Sequence, residues 1–281
     1  MSILDGRQVK IQILKELKEK LLKLNESIGL VVIQIGDDAA SSVYVRQKNK
    51  MATDLNYKFQ HIKLPSNIKE DELLKIIENL NNDDAVDGIL VQMPIPKHLD
   101  ANKVQNSILS CKDVDGLTDI NAGMLVHNKD GLIPCTPMGI IDLLDHYNIP
   151  IEGKNVVIIG RSNLVGKPLA NLMTNKNATV TLCHSKTNNL PFYTNNADIL
   201  VASVGIPNFI TEDMVKPGAI VIDVGINRLP DGSLCGDVDF TNVKEKASYI
   251  TPVPGGIGQM TVAELAVNTY KAHILKKDLT K

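Results

Sequence analysis

The sequence lacks the paired cysteine and histidine motifs of metal and redox sites. Its four cysteines occur without a CxxC pair, and its six histidines show no HExxH spacing. These absences argue against a zinc knuckle or a thioredoxin-type site, so we predict no metal site. Scattered thiols in a chain of this size are typical of a reducing compartment, and we expect a cytoplasmic protein.

Long apolar segments and runs of basic charge are also absent. No stretch reaches the roughly 20 apolar residues of a membrane span. The amino-terminal segment interleaves charged with apolar side chains, unlike a signal peptide. The 30 basic and 32 acidic residues give a net charge of −2. This balance argues against a protein that binds nucleic acid or a membrane surface.

What the chain does have is an ordinary globular composition, with 43% hydrophobic residues, arranged in alternating elements. Apolar runs rich in β-branched residues predict strands buried on both faces, and helical periodicity predicts helices between them. The predicted strands cover about residues 30–35, 57–64, 86–93, 155–159, 178–182, 199–202 and 219–224. The predicted helices cover about residues 9–24, 42–55, 70–80, 137–147, 165–175 and 261–275. The alternation predicts an α/β protein of two open lobes with a ligand cleft between them.

One glycine turn has the context of a dinucleotide-binding loop. The apolar strand that ends at Ile159 is followed by Gly160, Arg161 and Ser162, and then by a helix. Backbone N–H groups at such a helix start bind a pyrophosphate. The spacing is not GxGxxG, and a glycine turn at this place is also common for purely structural reasons.

The segment around and after this loop has unusually few acidic residues. An NAD-specific site normally carries Asp or Glu about 20 residues on, to hold the ribose 2′-hydroxyl. Here the sequence has no acidic residue from Gly153 to Ala197. A carboxylate would repel a 2′-phosphate, whereas a guanidinium pairs with it. We therefore predict NADP as cofactor, with a basic solvated face as the alternative.

Two further groups of residues in the first half of the chain are candidates for proton transfer or ligand binding. Tyr44 and Lys48 are four residues apart, so both project from one helix face. A desolvated amine there loses its proton more easily and can shuttle protons, although the same pair is common on helix surfaces. Gln92 ends a buried strand, where its amide needs a partner. Asp113 and Asp115 are turn formers or receptors for a paired ring N–H and amine, as in a pterin.

Together these motifs resemble the bifunctional methylenetetrahydrofolate dehydrogenase/cyclohydrolase family. They occur in family order from about residue 36 to residue 261. The matching segments are Tyr44–Lys48, Val91–Pro96, Lys112–Gly116, Gly160–Ser162, His184–Thr187 and Pro254–Gly258. The sequence departs from the family at Cys111 and Gln259, where many relatives carry proline.

The resemblance implies a cytosolic homodimer of one-carbon metabolism. Its reaction is oxidation of 5,10-methylenetetrahydrofolate with NADP⁺, followed by hydrolysis of the methenyl product to 10-formyltetrahydrofolate. It also implies a folate-binding catalytic domain at residues 1–138, completed by the C-terminal helix 262–281. A Rossmann-like NADP-binding domain then covers residues 139–261.

The resemblance implies site roles residue by residue. Lys48 is then the key group of the hydrolysis, Gln92 positions it, Tyr44 faces the folate ring, and Asp115 anchors the pterin. The loop with Pro254, Gly255 and Gly256 closes over substrate. The implied cofactor residues are Gly160, Arg161, Ser162, Ser185 and Ile226.

Three other kinds of protein share part of this pattern. A short-chain dehydrogenase also has a Tyr-x-x-x-Lys pair, but its glycine loop precedes the pair, whereas Gly160 follows Lys48 here. A nucleotide-sensing module has no reason to keep Tyr44, Lys48, Gln92 and Asp115 together. A monofunctional dehydrogenase stays open as the alternative, although Lys48 and Gln92 argue against it.

Overall fold

A computed structural model of the chain describes residues 2–24 and 26–279. The strands are β1 (Ser2–Ile3), β2 (Gly29–Ile35), β3 (Lys58–Leu64), β4 (Gly88–Val91), β5 (Asn155–Ile159), β6 (Thr179–Cys183), β7 (Ile199–Ala202), β8 (Ile220–Asp223), β9 (Asn227–Arg228), β10 (Leu234–Cys235) and β11 (Tyr249–Ile250). The α-helices are α1 (Gly6–Leu24), α2 (Ala39–Asp54), α3 (Glu70–Asn81), α4 (Ala101–Asn106), α5 (Asp119–Val126), α6 (Cys135–His146), α7 (Gly166–Asn175), α8 (Leu190–Thr194), α9 (Phe240–Lys246) and α10 (Ile257–Leu279). A short 3-10 helix spans Glu212–Met214.

The chain divides into two compact units. The six-stranded unit consists of Met1–Gln12 and Thr136–Thr261, and the three-stranded unit of Ile13–Cys135 and Val262–Lys281. The described amino-terminal residues fall in the six-stranded unit because β1 pairs in parallel with β11. This division differs at the amino terminus from the domain at residues 1–138 expected from the sequence. Residues 1, 25, 280 and 281 of the expected domains lie outside the described part of the chain.

The three-stranded unit is built on a parallel sheet of order β3-β2-β4. Every residue of β2 is buried, as predicted for a strand covered on both faces. Successive side chains point to opposite faces, so Leu30 and Val32 join a cluster with residues of α2 and α10. Val31 and Ile33 join a second cluster with residues of α3. Burying each such side chain contributes about 1.5–3 kcal/mol.

The six-stranded unit has a parallel sheet of order β1-β11-β8-β7-β5-β6. When β5, β6, β7, β8 and β11 are numbered 1 to 5 in chain order, their order across the sheet is 2-1-3-4-5. This is the second common order of doubly wound sheets. Such sheets bind ligands at the carboxyl ends of the strands, at the topological switch point, which is the place where the strand order reverses. In this unit that switch point lies between β5 and β7. The predicted α/β class with parallel sheets is therefore confirmed.

The segment 112–137 is more regular than the sequence indicates. It contains α5, although no helical periodicity predicts it. Ile120 and Val126 on this helix are exposed while Asn121 is buried, which reverses the usual amphipathic pattern. The side chain of Thr118 accepts a hydrogen bond from the Asn121 backbone N–H and so caps the helix start.

Candidate functional site

In the three-stranded unit, Lys48 and Gln92 are in direct contact. Gln92 follows the carboxyl end of β4, and α2 carries Lys48. The Lys48 Nζ donates to Gln92 Oε1 at 2.8 Å. The Gln92 Nε2 donates to the Met93 carbonyl at 2.7 Å, which turns the amide oxygen toward the ammonium. The hydrogen bond that the family resemblance implies is therefore present.

The surroundings of Lys48 favour its neutral form. Its side chain is half-buried, and burial of the amine lowers the pKa of Lys48 below its ordinary value. The nearby Asp115 carboxylate opposes this shift. Among the ion pairs within 4.0 Å in the described part of the chain, none involves Lys48. A lysine with a lowered pKa loses its proton at neutral pH at a smaller free-energy cost than an exposed lysine does.

Asp115 is held by a tight turn near this lysine. Burial raises the pKa of Asp115, and the charge of Lys48 lowers it in part. The next residue, Gly116, has a φ of +70°, and a Cβ there would lie against the Ile133–Pro134 backbone. Only glycine fits this left-handed, closely packed position. The turn therefore fixes where the Asp115 carboxylate lies.

Asp113 supports the same turn. It is fully buried and accepts hydrogen bonds from Gln105 Nε2 at 3.0 Å, the Thr118 backbone N–H at 2.8 Å and Asn121 Nδ2 at 2.9 Å. Burial nevertheless raises its pKa. Its donors come from α4 and from the start of α5, so one carboxylate joins two helices to the turn that carries Asp115.

The sequence does not point to Asn268 or Cys135, although both adjoin this site. Asn268, buried on α10, donates through Nδ2 to the Val114 carbonyl at 3.0 Å and the Ile133 carbonyl at 2.8 Å. The Cys135 thiol donates to the Val114 carbonyl at 3.3 Å, and burial raises the pKa of Cys135 well above its ordinary value. An amide within an apolar helical stretch is the one signal that could have identified Asn268.

Tyr44 lies one turn before Lys48 on α2 and is half-buried. The three-stranded unit therefore holds Tyr44, Lys48, Gln92 and Asp115, with a direct contact between Lys48 and Gln92. The other predicted site residues belong to the six-stranded unit.

The cofactor loop predicted from the sequence lies at the switch point of the six-stranded sheet. Gly160 follows β5 with a φ of +113°, and a Cβ there would meet the Ser203 carbonyl, just beyond β7. A Cβ on Gly166, at the start of α7, would meet the Gly160 carbonyl. The two glycines thus let strand, loop and helix approach closely, as a dinucleotide-binding turn requires.

The side chains around this loop suit a phosphorylated nucleotide. Arg161 and Ser162 are exposed, and Ser162 Oγ accepts from the Val165 backbone N–H at 3.1 Å. Ser185, also exposed, lies two residues beyond β6, the strand that pairs with β5. No carboxylate lies on this segment, as the sequence already establishes. These residues fit a cofactor that carries a 2′-phosphate.

The last predicted residues of this unit lie on two further loops. Ile226 follows β8 and is 44% exposed. Pro254 is exposed, whereas Gly255 and Gly256 are buried. A Cβ on Gly6, at the start of α1, would meet the Gly256 carbonyl, and a Cβ on Gly256 would meet the Pro252 carbonyl. Beside this loop, Gln259 Oε1 accepts from Lys10 Nζ at 3.3 Å.

The described residues form neither a metal-ligand cluster nor a membrane-spanning helix. Within residues 2–24 and 26–279, no three His, Cys, Asp or Glu side chains are grouped as metal ligands. None of the helices in that part of the chain combines the length and apolarity needed to cross a membrane.

Comparison with known proteins identifies the family. Residues 4–115 match the tetrahydrofolate dehydrogenase/cyclohydrolase catalytic domain, and residues 134–277 match the NAD(P)-binding domain of the same family. The chain belongs to the tetrahydrofolate dehydrogenase/cyclohydrolase family. The bifunctional protein FolD of Campylobacter hominis is 51% identical over 276 residues, which are 97% of each chain. That of Wolinella succinogenes is 52% identical over 97% of this chain and 96% of its own.

Solved structures of family members agree with this. The bifunctional FolD enzyme of Campylobacter jejuni superposes with a TM-score of 0.96 at 47% identity, over 98% of this chain and 99% of its own. The Trypanosoma brucei FolD, solved in complex with NADP and an inhibitor, gives a TM-score of 0.94 at 34% identity. That match covers 100% of this chain and 99% of the trypanosome chain. The resemblance inferred from the motifs is therefore confirmed over nearly the full length.

Proposed function

We propose that this family member oxidises 5,10-methylenetetrahydrofolate to the 5,10-methenyl form with NADP⁺ and hydrolyses that product to 10-formyltetrahydrofolate. The observation that carries the second activity is the hydrogen bond of 2.8 Å between Lys48 and Gln92, next to the charge of Asp115. A dehydrogenase without hydrolase activity needs no half-buried amine at this place. The bifunctional relatives, 51% and 52% identical, support the same conclusion.

NADP⁺ supplies the oxidising power, because it accepts a hydride from the one-carbon bridge of the folate when bound. The backbone at Gly160 and the start of α7 would hold the pyrophosphate. Arg161, Ser162 and Ser185 would hold the ribose and its 2′-phosphate, and Ile226 would contact the cofactor from the loop after β8. The preference for NADP over NAD rests on the absence of acid from Gly153 to Ala197.

For the hydrolysis, we assign the proton transfers to Lys48. The carbon of the methenyl substrate is already cationic, so a protonated lysine beside it would be repelled. Neutral Lys48 takes a proton from the attacking water as the water oxygen bonds to that carbon. That proton then passes to the pterin-side nitrogen (N5) as its bond to the carbon breaks. The second proton of the former water leaves to solvent as the C=O double bond forms, which leaves the neutral formyl group on N10. Burial of Lys48 favours the neutral form that this step needs.

The remaining residues of the three-stranded unit orient the reactants. Gln92 Oε1 accepts from Lys48 and fixes the direction of the amine. We assign recognition of the pterin N–H and amino groups to the Asp115 carboxylate, and stacking against the folate ring to Tyr44. Closure over substrate is assigned to the loop with Pro254, Gly255 and Gly256. The predicted domains at residues 1–138 with 262–281 and at 139–261 would divide folate from cofactor binding.

The test follows methenyl absorbance with the full chain, 5,10-methylenetetrahydrofolate and either NADP⁺ or NAD⁺, and separately follows hydrolysis of methenyltetrahydrofolate without cofactor. We expect NADP⁺ to be preferred and hydrolysis to occur. Lys48→Met should lower hydrolysis by at least about 100-fold, while the Kd for NADP⁺ changes less than about twofold. The matched control is Lys50→Met, because Lys50 is exposed on the same helix. Methenyl product that accumulates without hydrolysis in the unmodified protein would identify a monofunctional dehydrogenase instead.

The location and assembly rest on the family resemblance. We propose that the protein acts in the cytosol as a homodimer, with a small folate substrate and without a nucleic-acid or membrane partner. Light scattering coupled to gel filtration measures the assembly directly, and a mass of about 31 kDa would exclude the dimer.

A further inference from the structure

Asp237 has no part in the function described so far, yet it is one of the most completely bonded carboxylates of the six-stranded unit. Its side chain is fully buried. It accepts from the backbone N–H groups of Val204 at 2.6 Å, Gly205 at 3.0 Å and Ile206 at 3.0 Å. It also accepts from Asn227 Nδ2 at 2.9 Å. Three consecutive backbone N–H groups therefore converge on one carboxylate, in the manner of an anion-binding nest.

These donors come from the loop after β7 and from the first residue of β9, directly after the loop that follows β8. Residues 204–206 follow β7, and Asn227 follows the loop after β8. The residue before the first loop, Ser203, is the one whose carbonyl lies against Gly160. The residue before Asn227 is Ile226, a predicted cofactor contact. One buried carboxylate thus joins both loops beside the switch point between β5 and β7.

Asp237 is itself held in place from β8. The Asp237 backbone N–H donates to Asp223 Oδ1 at 2.9 Å, and the Val238 backbone N–H donates to Asp223 Oδ2 at 2.9 Å. The space around both carboxylates is filled. A Cβ on Gly225 would meet the Asp237 carboxylate, and a Cβ on Gly236 would meet that of Asp223. The backbone at Asp237 is therefore held from β8, apart from the hydrogen bonds that its own carboxylate accepts.

We propose that Asp237 is a positioning residue for the cofactor site: its carboxylate holds the backbone of residues 204–206 and the side chain of Asn227, and so fixes the loops that border the bound NADP⁺. This inference rests on the proposed function. Without the carboxylate, three backbone N–H groups lose their acceptor, and among residues 2–24 and 26–279 no other side chain accepts from them. The effect falls on cofactor binding, because Lys48 and its partners belong to the three-stranded unit.

The test is Asp237→Asn in the full chain. Asparagine has nearly the same shape, but it replaces one acceptor oxygen with an NH₂ group that faces N–H donors. We expect the Kd and KM for NADP⁺ to rise about tenfold or more, while cofactor-independent hydrolysis of methenyltetrahydrofolate stays within about twofold. The matched control is Asp231→Asn, because Asp231 is exposed in the loop between β9 and β10 and loses the same charge. That control should leave both values unchanged.

A purely structural role would lower both activities together, with a parallel fall in the thermal unfolding midpoint, and this result would overturn the proposal. An unchanged Kd for NADP⁺ in folded Asp237→Asn would also overturn it. If Asp237→Asn does not fold, Asn227→Ala removes one of the four donors and keeps the carboxylate. It should raise the Kd for NADP⁺ by a smaller factor, and no change there would contradict the proposal. Direct titration with NADP⁺ keeps the test separate from the proposed function, because binding is measured without turnover.

Discussion

The tripeptide Asp-Val-Asp occurs in both units, at residues 113–115 and 237–239, and the two copies have a similar plan. In each copy the first aspartate is fully buried, and the valine is buried as well. In each, a residue of the tripeptide forms a parallel bridge with a distant isoleucine: Asp113 with Ile89, and Val238 with Ile210. The first carboxylate accepts three hydrogen bonds at residue 113 and four at residue 237.

The copies differ in what surrounds the second aspartate. Asp115 lies where burial raises its pKa and the charge of Lys48 opposes that shift. Asp239 instead precedes α9 and accepts from Asn242 Nδ2 at 2.6 Å. One Asp239 oxygen thus bonds a side chain of the helix that follows, whereas Asp115 lies near the half-buried amine of Lys48, where we propose that it binds the substrate. On this proposal the same short motif carries a substrate-binding carboxylate in one unit, whereas in the other it directly precedes a helix.

The largest effect on activity is expected when the second aspartate of the first tripeptide, Asp115, is replaced by asparagine and compared with the same change at Asp239. Asp115→Asn should lower kcat/KM for the folate substrate by about 100-fold or more, because charge-assisted hydrogen bonds to the pterin are lost. It should also move the acidic limb of the hydrolysis profile to lower pH. The reason is that Asp115 raises the pKa of Lys48, so its removal lowers that pKa further. Steady-state kinetics from pH 5 to 9 measure both changes.

The comparison variant is Asp239→Asn, which changes the same position of the other tripeptide. It should leave the folate kinetics within about twofold of the unmodified protein. Equal losses in the two variants would mean that the surroundings of the second aspartate do not decide its role.

A smaller effect, on stability, is expected at the first aspartate. Asp113→Asn should lower the free energy of unfolding by about 2–3 kcal/mol, because the buried Thr118 N–H or Asn121 amide then faces an NH₂ group. Urea unfolding measures this change. Asp130→Asn is the control, since Asp130 is exposed and should change stability by less than about 0.5 kcal/mol. A loss below that value at Asp113 would show that its hydrogen bonds do not stabilise the turn.

The buried strands were predictable because a parallel sheet covered on both faces leaves a strong sequence pattern. The predicted strands at residues 155–159 and 199–202 coincide with β5 and β7. By contrast, β1 and β11 have two residues each and depend on pairing between segments far apart in the chain. The helix α5 was missed because its apolar side chains are partly exposed and its buried asparagine looks like a turn residue.

The site was predictable where a residue type itself carries chemistry. Lys48, Gln92 and the glycine loop follow from strand ends, helix spacing and the family motifs. Asp237 and Asn268 could not be singled out in the same way, because their importance depends on backbone groups contributed by distant segments. Asp237, for example, bonds residues 204–206, more than 30 positions earlier.

The smallest expected effect is a pH dependence of stability that comes from Asp223, whose carboxylate accepts from the backbone N–H groups of Asp237 and Val238. Burial raises the pKa of Asp223 to about 6, from 3.8 when unfolded. The folded state therefore binds a proton on Asp223 more tightly than the unfolded state does. The stability that this proton contributes is fully present below pH 3.8 and is lost as the pH rises through 6. The stability of the unmodified protein, relative to Asp223→Asn, should be about 1.4 kcal/mol greater at pH 5 than at pH 7.5. Urea unfolding at the two pH values measures this difference. Asp231→Asn is the control: hydrogen bonds from Ser233 lower the pKa of Asp231, so its contribution is lost only as the pH falls below 3.8 and should be nearly equal at pH 5 and pH 7.5. An equal difference between the two pH values for both variants would contradict the assignment of this pH dependence to burial of Asp223.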